Sequence, residues 1–251
     1  MPSLLVFLDY SDFMTKPLKA VILAGGLGTR LHPYTLFMPK PMLPLGDKPV
    51  LEHLISWLYS NDIRDIVICV SYLRRIIEDY FRDGKELGVK ITYARTNTPM
   101  GTAGQLKSAE KLIDGTFLCV YGDSIYDFNV KDMIEFHIKK KALATIALMP
   151  YKTTLKYGLI DVSKDGLVKK WREKPTIEGL INIGCYIIEP RFLDYIPNDT
   201  RFGMNFAFEN AMKKGERIFG YNAKGGFIDI GDKKGYIGVY KKYLGKLGEI
   251  V

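Results

Sequence analysis

Gly25, Gly26 and Gly28 stand almost side by side and are followed by Arg30 and, after Pro39, by Lys40, which Pro41 also flanks. With no Cβ in the way, such a loop lets successive backbone N–H groups converge on an anion. Arg adds a planar fork that fits two phosphate oxygens at once, and Lys adds a mobile point charge. The group therefore suits a charge-rich ligand such as a nucleoside triphosphate. An ordinary strand-to-helix turn with solvated charges is the plainer alternative, but it needs fewer glycines and no proline-fixed lysine. Two familiar phosphate loops are excluded by spacing. A P-loop needs a Gly-Lys pair where Arg30 stands, and a dinucleotide loop opening at Gly26 and Gly28 needs glycine where Leu31 stands.

Composition limits the ligand further. The 251 residues are 47% hydrophobic and 25% charged, as in a folded soluble protein with ample core. The net charge of +8 is compatible with nucleic acid, an anionic membrane surface or small phosphorylated ligands. The cations occur as scattered pairs such as Arg74-Arg75 and Lys213-Lys214, with no aromatic stacking platforms between them, which argues against nucleic acid. Cys69, Cys119 and Cys185 each sit in apolar runs without metal-ligand spacing and read as core residues of a reducing compartment. His137 falls on an apolar helix face with Met133 and Ile134 and reads as packed. The run Leu4 to Leu8 follows no basic segment and is too short to span a bilayer, so neither a signal peptide nor a membrane association is expected. A cytoplasmic location follows. Met14 is a plausible start, with residues 1–18 as an N-terminal extension.

The elements that must position these residues alternate. Ala20 to Leu23 reads as a buried strand ending in the glycine loop. Lys48-Pro49 opens a helix with Leu51, Leu54, Ile55 and Leu58 at helical spacing. Strands over Asp65 to Val70, Lys90 to Arg95, Thr116 to Tyr121 and Ala144 to Met149 are separated by helices over Arg75 to Phe81, through Leu106, Ala109 and Leu112, and over Val130 to Lys140. This predicts an α/β fold with a doubly wound, mostly parallel, Rossmann-like sheet whose ligands gather beyond the carboxyl ends of its strands. The glycine loop, the Gly101 loop and Asp123 lie at such ends. A smaller β-rich region follows. It consists of a hairpin of Gly158 to Val162 with Val168 to Arg172, a strand over Ile181 to Ile188, short helices around Arg191 to Tyr195 and Phe206 to Lys214, strand residues Ile218 to Tyr221, and a terminal helix over Lys234 to Leu244.

Read together, these motifs resemble a family. Gly25 to Pro44, GGLGTRLHPYTLFMPKPMLP, is similar to the signature of the sugar-1-phosphate nucleotidylyltransferases. The similarity continues through Met100-Gly101-Thr102-Ala103-Gly104, Gly122-Asp123, Tyr157-Gly158, Glu173-Lys174-Pro175, Asn182-Ile183-Gly184 and Asp229-Ile230-Gly231, so it covers the chain from Lys19 to the terminal helix. The resemblance implies transfer of a nucleoside monophosphate from an NTP to a hexose 1-phosphate, with release of pyrophosphate. It implies one nucleotidyltransferase domain over residues 19–251, with a nucleotide-binding half to residue 150 and a sugar-phosphate-binding half beyond it. Leu23, Ala24, Gly25, Gly26, Gly28, Thr29, Arg30, Gly101, Thr102 and Gly104 would bind the nucleotide, and Gly158, Glu173, Lys174 and Asn182 the sugar phosphate. Arg30, Lys40, Asp123 and Lys174 would be catalytic, with Arg30 and Lys40 facing solvent in the empty crevice. Asp123 and Asp229 would bind Mg²⁺, although a helix cap or a lysine salt bridge would also account for either carboxylate.

Departures refine this picture. Phe227 stands where many members have Trp, a conservative packing change. Gly104 stands where pyrimidine-specific members carry Gln, which favours a guanylyltransferase acting on mannose 1-phosphate or a related sugar. Glucose-1-phosphate thymidylyl-, uridylyl- or cytidylyltransfer is the alternative, and a non-catalytic sensor of the same fold is another. No left-handed β-helix repeats are present, so acetyltransfer and trimerisation through such repeats are not expected. A homo-oligomer formed in another way is compatible with the sequence.

Overall fold

The computed structural model describes residues 18–248, with side chains described to residue 241. Nearly all of the expected N-terminal extension, including Leu4 to Leu8 and Met14, lies outside those residues. Strand β1 (Lys19–Leu23) leads into single 3-10 turns at Thr29–Leu31, Tyr34–Leu36 and Lys40–Met42. A small ribbon of β2 (Pro44–Leu45) and β3 (Lys48–Pro49) precedes helix α1 (Val50–Ser60). Then come β4 (Asp65–Val70), α2 (Arg74–Phe81), β5 (Lys90–Arg95), α3 (Gly101–Ser108), β6 (Phe117–Tyr121), β7 (Ser124–Asp127), α4 (Val130–Lys140) and β8 (Ala144–Thr154). The hairpin β9 (Leu159–Val162) and β10 (Val168–Arg172) precedes β11 (Thr176–Ile188), and α5 (Met204–Lys213), β12 (Ile218–Asn222), β13 (Gly226–Asp229) and α6 (Lys233–Gly248) follow.

Seven strands form one sheet in the order β12-β8-β11-β6-β1-β4-β5. Every strand in it runs the same way except β11, which is antiparallel to both neighbours. Strand alternation divides the core between the two faces. Ala20, Ile22, Ile66, Ile68, Leu118 and Val120 face α1, α2 and α4, while Val21, Leu23, Val67, Cys69, Phe117 and Cys119 face α3 and α5. The sheet is doubly wound, as expected. Packing holds α1 in place, because Pro49 provides no side-chain cap whereas Leu51, Leu54, Ile55 and Leu58 are buried. Each such side chain contributes about 1.5–3 kcal/mol on burial. No described helix is long and apolar enough to cross a membrane.

Five elements differ from expectation. The helix expected to run through Leu112 stops at Ser108 and tightens into a separate 3-10 turn at Glu110–Leu112, and Pro190–Tyr195 is likewise a 3-10 turn. Strands β8 and β11 run well past the apolar pattern because they pair with each other out to Thr154↔Thr176, where the residues are largely exposed and apolar periodicity carries no signal. Strand β7 has no counterpart in the expected pattern. It pairs with β13 so that Ser124 faces Asp229.

That last ribbon depends on Gly225, whose φ is +152 and where an added Cβ would come within 1.7 Å of the Asp127 carbonyl oxygen. No flexible side chain can yield there. Gly225→Ala is expected to destabilise the protein by about 2–4 kcal/mol, and chemical denaturation of the variant measures this directly.

Candidate active site

Strands β1 and β6 are hydrogen-bonded neighbours with Leu23 opposite Tyr121, so the segments leaving them, Ala24 to Gly28 and Gly122-Asp123, emerge side by side. Above them lies a cleft of about 510 Å³. Leu23, Ala24, Gly25, Gly26, Gly28, Thr29, Arg30, Gly101 and Thr102 line it, together with Lys40 and Asp123. Gly28 must be glycine: its φ is +63, and a Cβ would lie 2.9 Å from the Thr35 Cγ2 and 3.2 Å from the Lys40 Cβ. Thr35 in turn donates its hydroxyl to the Gly28 carbonyl at 2.8 Å, which fixes the loop over the Lys40 segment.

Gly104 is not part of this wall. Its N–H donates to the Phe202 carbonyl at 3.2 Å, and a Cβ there would meet the Thr200 carbonyl oxygen at 2.8 Å, so its smallness serves contact between α3 and the segment before α5. The next residue, Gln105, borders the cleft instead and accepts a hydrogen bond from the Gly25 N–H at 2.8 Å. Tyr121 and Arg201 also line the cleft. None of the three stands out in the sequence. Gln105 could have been found by extending the Gly101 to Gly104 motif by one position, but nothing local marks Arg201, which arrives from a segment fixed to Met100 and Ala103 by Phe202 backbone hydrogen bonds.

The charged centre differs from expectation in one respect. Arg30 is exposed, but Lys40 is only 8% exposed. Its ammonium donates to Asp123 Oδ2 and stands 4.0 Å from Asp229 Oδ1. Burial raises the Asp229 carboxyl above the ordinary aspartate range and the Asp123 charge adds to this, while Lys40 and Arg30 oppose the rise. The β7/β13 ribbon explains the meeting, since Asp229 lies opposite the residue that follows Asp123. A capping role for Asp229 is not what is seen: Asp232, not Asp229, accepts from the Gly235 N–H at 2.8 Å at the start of α6. Among the described residues no group of three or more His, Cys, Asp or Glu converges as a metal site, so this carboxylate pair stands without a third such ligand.

The expected acceptor residues form a second group. Gly158, Glu173 and Lys174 lie on the β9–β10 ribbon and its exit and do not line the cleft. Glu173 accepts from the Trp171 indole at 3.2 Å beside Gly158, and Lys174 is exposed with φ +41. Asn182 is tied to the cleft through two tyrosines. It donates to the Tyr186 hydroxyl at 2.9 Å, and that hydroxyl lies 3.0 Å from the hydroxyl of Tyr121.

The sequence model described as Nucleotidyl transferase matches residues 19–246. The chain belongs to that family. It is 34% identical over 238 residues to a protein named UTP–glucose-1-phosphate uridylyltransferase from Synechocystis, covering 87% of this chain and 61% of that one. It is 34% identical over 240 residues to a mannose-1-phosphate guanyltransferase from Yarrowia lipolytica, covering 92% and 66% respectively. The chain thus spans somewhat less than two thirds of the length of these relatives. Among solved structures, HddC from Yersinia pseudotuberculosis superposes with a TM-score of 0.72 at 30% identity, covering 90% of this chain and 99% of that one, and has also been solved complexed with GMP-PN. Members of the family generally use a divalent metal ion.

Two outcomes follow from the charged centre. Lys40→Ala leaves Asp123 without its partner and is expected to cost about 2 kcal/mol of stability, discounted for partial exposure, by denaturant titration. Asp229→Asn is expected to do the opposite. Because the folded pKa is raised, the native protein retains a proton that the unfolded chain has already lost, so stability falls as pH rises from the ordinary aspartate range through the raised value. Removing that charge should raise the melting temperature at pH 7, a gain that disappears in acid below the aspartate range.

Proposed function

We propose that this protein transfers a nucleoside monophosphate from an NTP to a hexose 1-phosphate, forming a nucleoside-diphosphate sugar and releasing pyrophosphate. The observation that carries the reading is the convergence of the Gly25 to Arg30 segment, Lys40, Asp123 and Asp229 on one edge of the sheet. One phosphate oxygen of the sugar phosphate attacks the α-phosphorus, and the bond from that phosphorus to the bridging oxygen of pyrophosphate breaks. The attacking oxygen is already ionised, so no general base is required, and in-line placement with charge neutralisation does the work.

The chain's own groups supply both. The glycine loop and Arg30 bind the triphosphate, and two ammonium hydrogens of Lys40 remain for phosphate oxygens beyond the one given to Asp123. Residues 151–251 bring Glu173, Lys174, Gly158 and Asn182 to the sugar phosphate, the nucleotide-binding half being residues 19–150. The donor set fits Mg²⁺: two carboxylates, one of which has its charge disfavoured by the other, gain from a hard cation that takes its further ligands from phosphate and water. When bound there, Mg²⁺ would supply charge neutralisation on the triphosphate. Mannose 1-phosphate with GTP is the pair we favour, on the guanyltransferase relatives.

A grid of common NTPs against several hexose 1-phosphates, with pyrophosphate detection, is expected to give Mg²⁺-dependent release for at least one pair, GTP with mannose 1-phosphate foremost. Protein that binds an NTP yet releases no pyrophosphate with any sugar phosphate would instead be a sensor of the same fold. On the active pair, Arg30→Ala is expected to raise the barrier by about 3–4 kcal/mol with little change in melting temperature. Asp123→Asn and Asp229→Asn should each remove most turnover, and the double variant should be little worse than either alone, as for groups acting as a unit.

A further inference from the structure

Gln105 is 6% exposed, yet it borders the cleft. Its Oε1 accepts from the Gly25 N–H at 2.8 Å. A backbone N–H can only donate, so the amide atom it meets has to be the carbonyl oxygen, and the two amide hydrogens are carried on the other side. That Nε2 has no hydrogen-bond partner among the described residues. Nor is it sealed from solvent, since the sealed, unpartnered side-chain atoms among the described residues are Thr96 Oγ1 and Arg172 Nε. Two oriented donors on a nine-tenths-buried side chain therefore open on the cleft, and burying such donors is costly unless something accepts from them.

The position along the loop suggests what that acceptor is. Lys40 packs at the Gly28 end, where it meets Asp123, and on the NTP reading this cationic end takes the phosphates. Gln105 stands at the Gly25 end, where an added Cβ on Gly25 would meet Gln105 Oε1 and the uncharged Ser71 side chain. We propose that Gln105 is a specificity-determining residue that donates to an oxo group of the nucleotide base, selecting guanine, uracil or thymine over bases that present an exocyclic amino group there. Guanine offers O6 and N7 as paired acceptors, and uracil and thymine offer O4. Adenine and cytosine put an amino donor against the Gln105 donors. This rests on the reading of the cleft as an NTP site and moves the base contact from position 104, which faces Thr200, to position 105.

The test is equilibrium binding of GTP, UTP, dTTP, ATP and CTP to the full chain without sugar phosphate. Wild-type protein is expected to bind at least one oxo-bearing base about tenfold more tightly than ATP or CTP. Gln105→Glu keeps an acceptor for the Gly25 N–H but replaces the donors with an acceptor, so it should shift the GTP-to-ATP ratio towards ATP by about tenfold. A loss of charge compatibility with phosphate would weaken all five NTPs equally and leave that ratio alone. Gln105→Met, which has neither donor nor charge, should weaken GTP and leave ATP nearly unchanged, and serves if the Glu variant does not fold. A ratio of the preferred oxo-bearing NTP to ATP that neither variant moves, or a wild-type protein that binds ATP or CTP as tightly as every one of GTP, UTP and dTTP, overturns the base-reading role while leaving the NTP site intact. A protein that binds no NTP overturns the NTP reading itself.

Discussion

A buried ammonium set against two carboxylates holds three distant stretches of the chain together. Lys40 arrives from the proline-bracketed turn after the glycine loop, Asp123 from the end of β6, and Asp229 from the end of the β7/β13 ribbon. Taking a lysine out of water is expensive, and the fold tolerates it because the Asp123 carboxylate accepts its hydrogen bond. The arrangement is not fully neutralised, since two carboxylates share one nearby ammonium and the Asp229 carboxyl is pushed up, by burial first and by the Asp123 charge second. A pair of negative groups left short of positive charge, beside a loop suited to a triphosphate, is complementary to a metal–phosphate complex in a way that a purely structural salt bridge is not.

Close approach between backbone segments sets the rest of the geometry. Gly101, with φ +70, would place a Cβ 2.5 Å from the Phe202 carbonyl oxygen, so the segment carrying Arg201 can dock on the start of α3 only over glycine. Gly184, with φ +72, sits where the pairing of β11 with β8 slips, and its missing Cβ leaves room for the ring of Tyr121 at 2.6 Å. The same bulge turns Asn182 towards Tyr186 and hence towards Tyr121. Through that chain of hydrogen bonds Asn182, on the antiparallel strand that interrupts the sheet, is connected to the cleft.

The central strands, α1, α2 and α4 were legible because apolar periodicity and burial coincide in them: Asp65–Val70, Lys90–Arg95 and Val130–Lys140 carry their pattern over their whole length. The far ends of β8 and β11 were not, because they are stabilised by each other in solvent and not by a core. The glycine loop was legible because glycine and arginine are informative residue types wherever they stand. The burial of Lys40 was not, since it depends on Asp123 and on the β7/β13 ribbon, which brings Asp229 from a distant part of the chain. Phe227 can be read from sequence as a packing substitution, and it does stack on Tyr126, with ring centroids 5.8 Å apart. His137 is packed, as its apolar helix face implies, though it also bonds to Thr145 at 2.8 Å and Glu189 at 3.1 Å.

The residue chemistry around the cleft also bears on how the proposed transfer would proceed. A two-step route through a covalent nucleotidyl-enzyme needs a nucleophile that is ionised or paired with a base near neutral pH. None of the cleft-lining residues is His or Cys. The three cysteines are buried in the core and burial raises their thiols, that of Cys69 to about 12. Tyr121, the phenol that reaches the cleft, is likewise pushed up by burial, and its hydroxyl is engaged with Tyr186. Lys40 is paired with Asp123, which suits charge neutralisation and leaves its nitrogen engaged as a donor. With the three thiols and the Tyr121 phenol pushed up by burial, Lys40 and Asp123 paired with each other, and an ionised phosphate oxygen supplied by the second substrate of the proposed reaction, the groups in the cleft favour a single direct displacement at the α-phosphorus over a covalent relay.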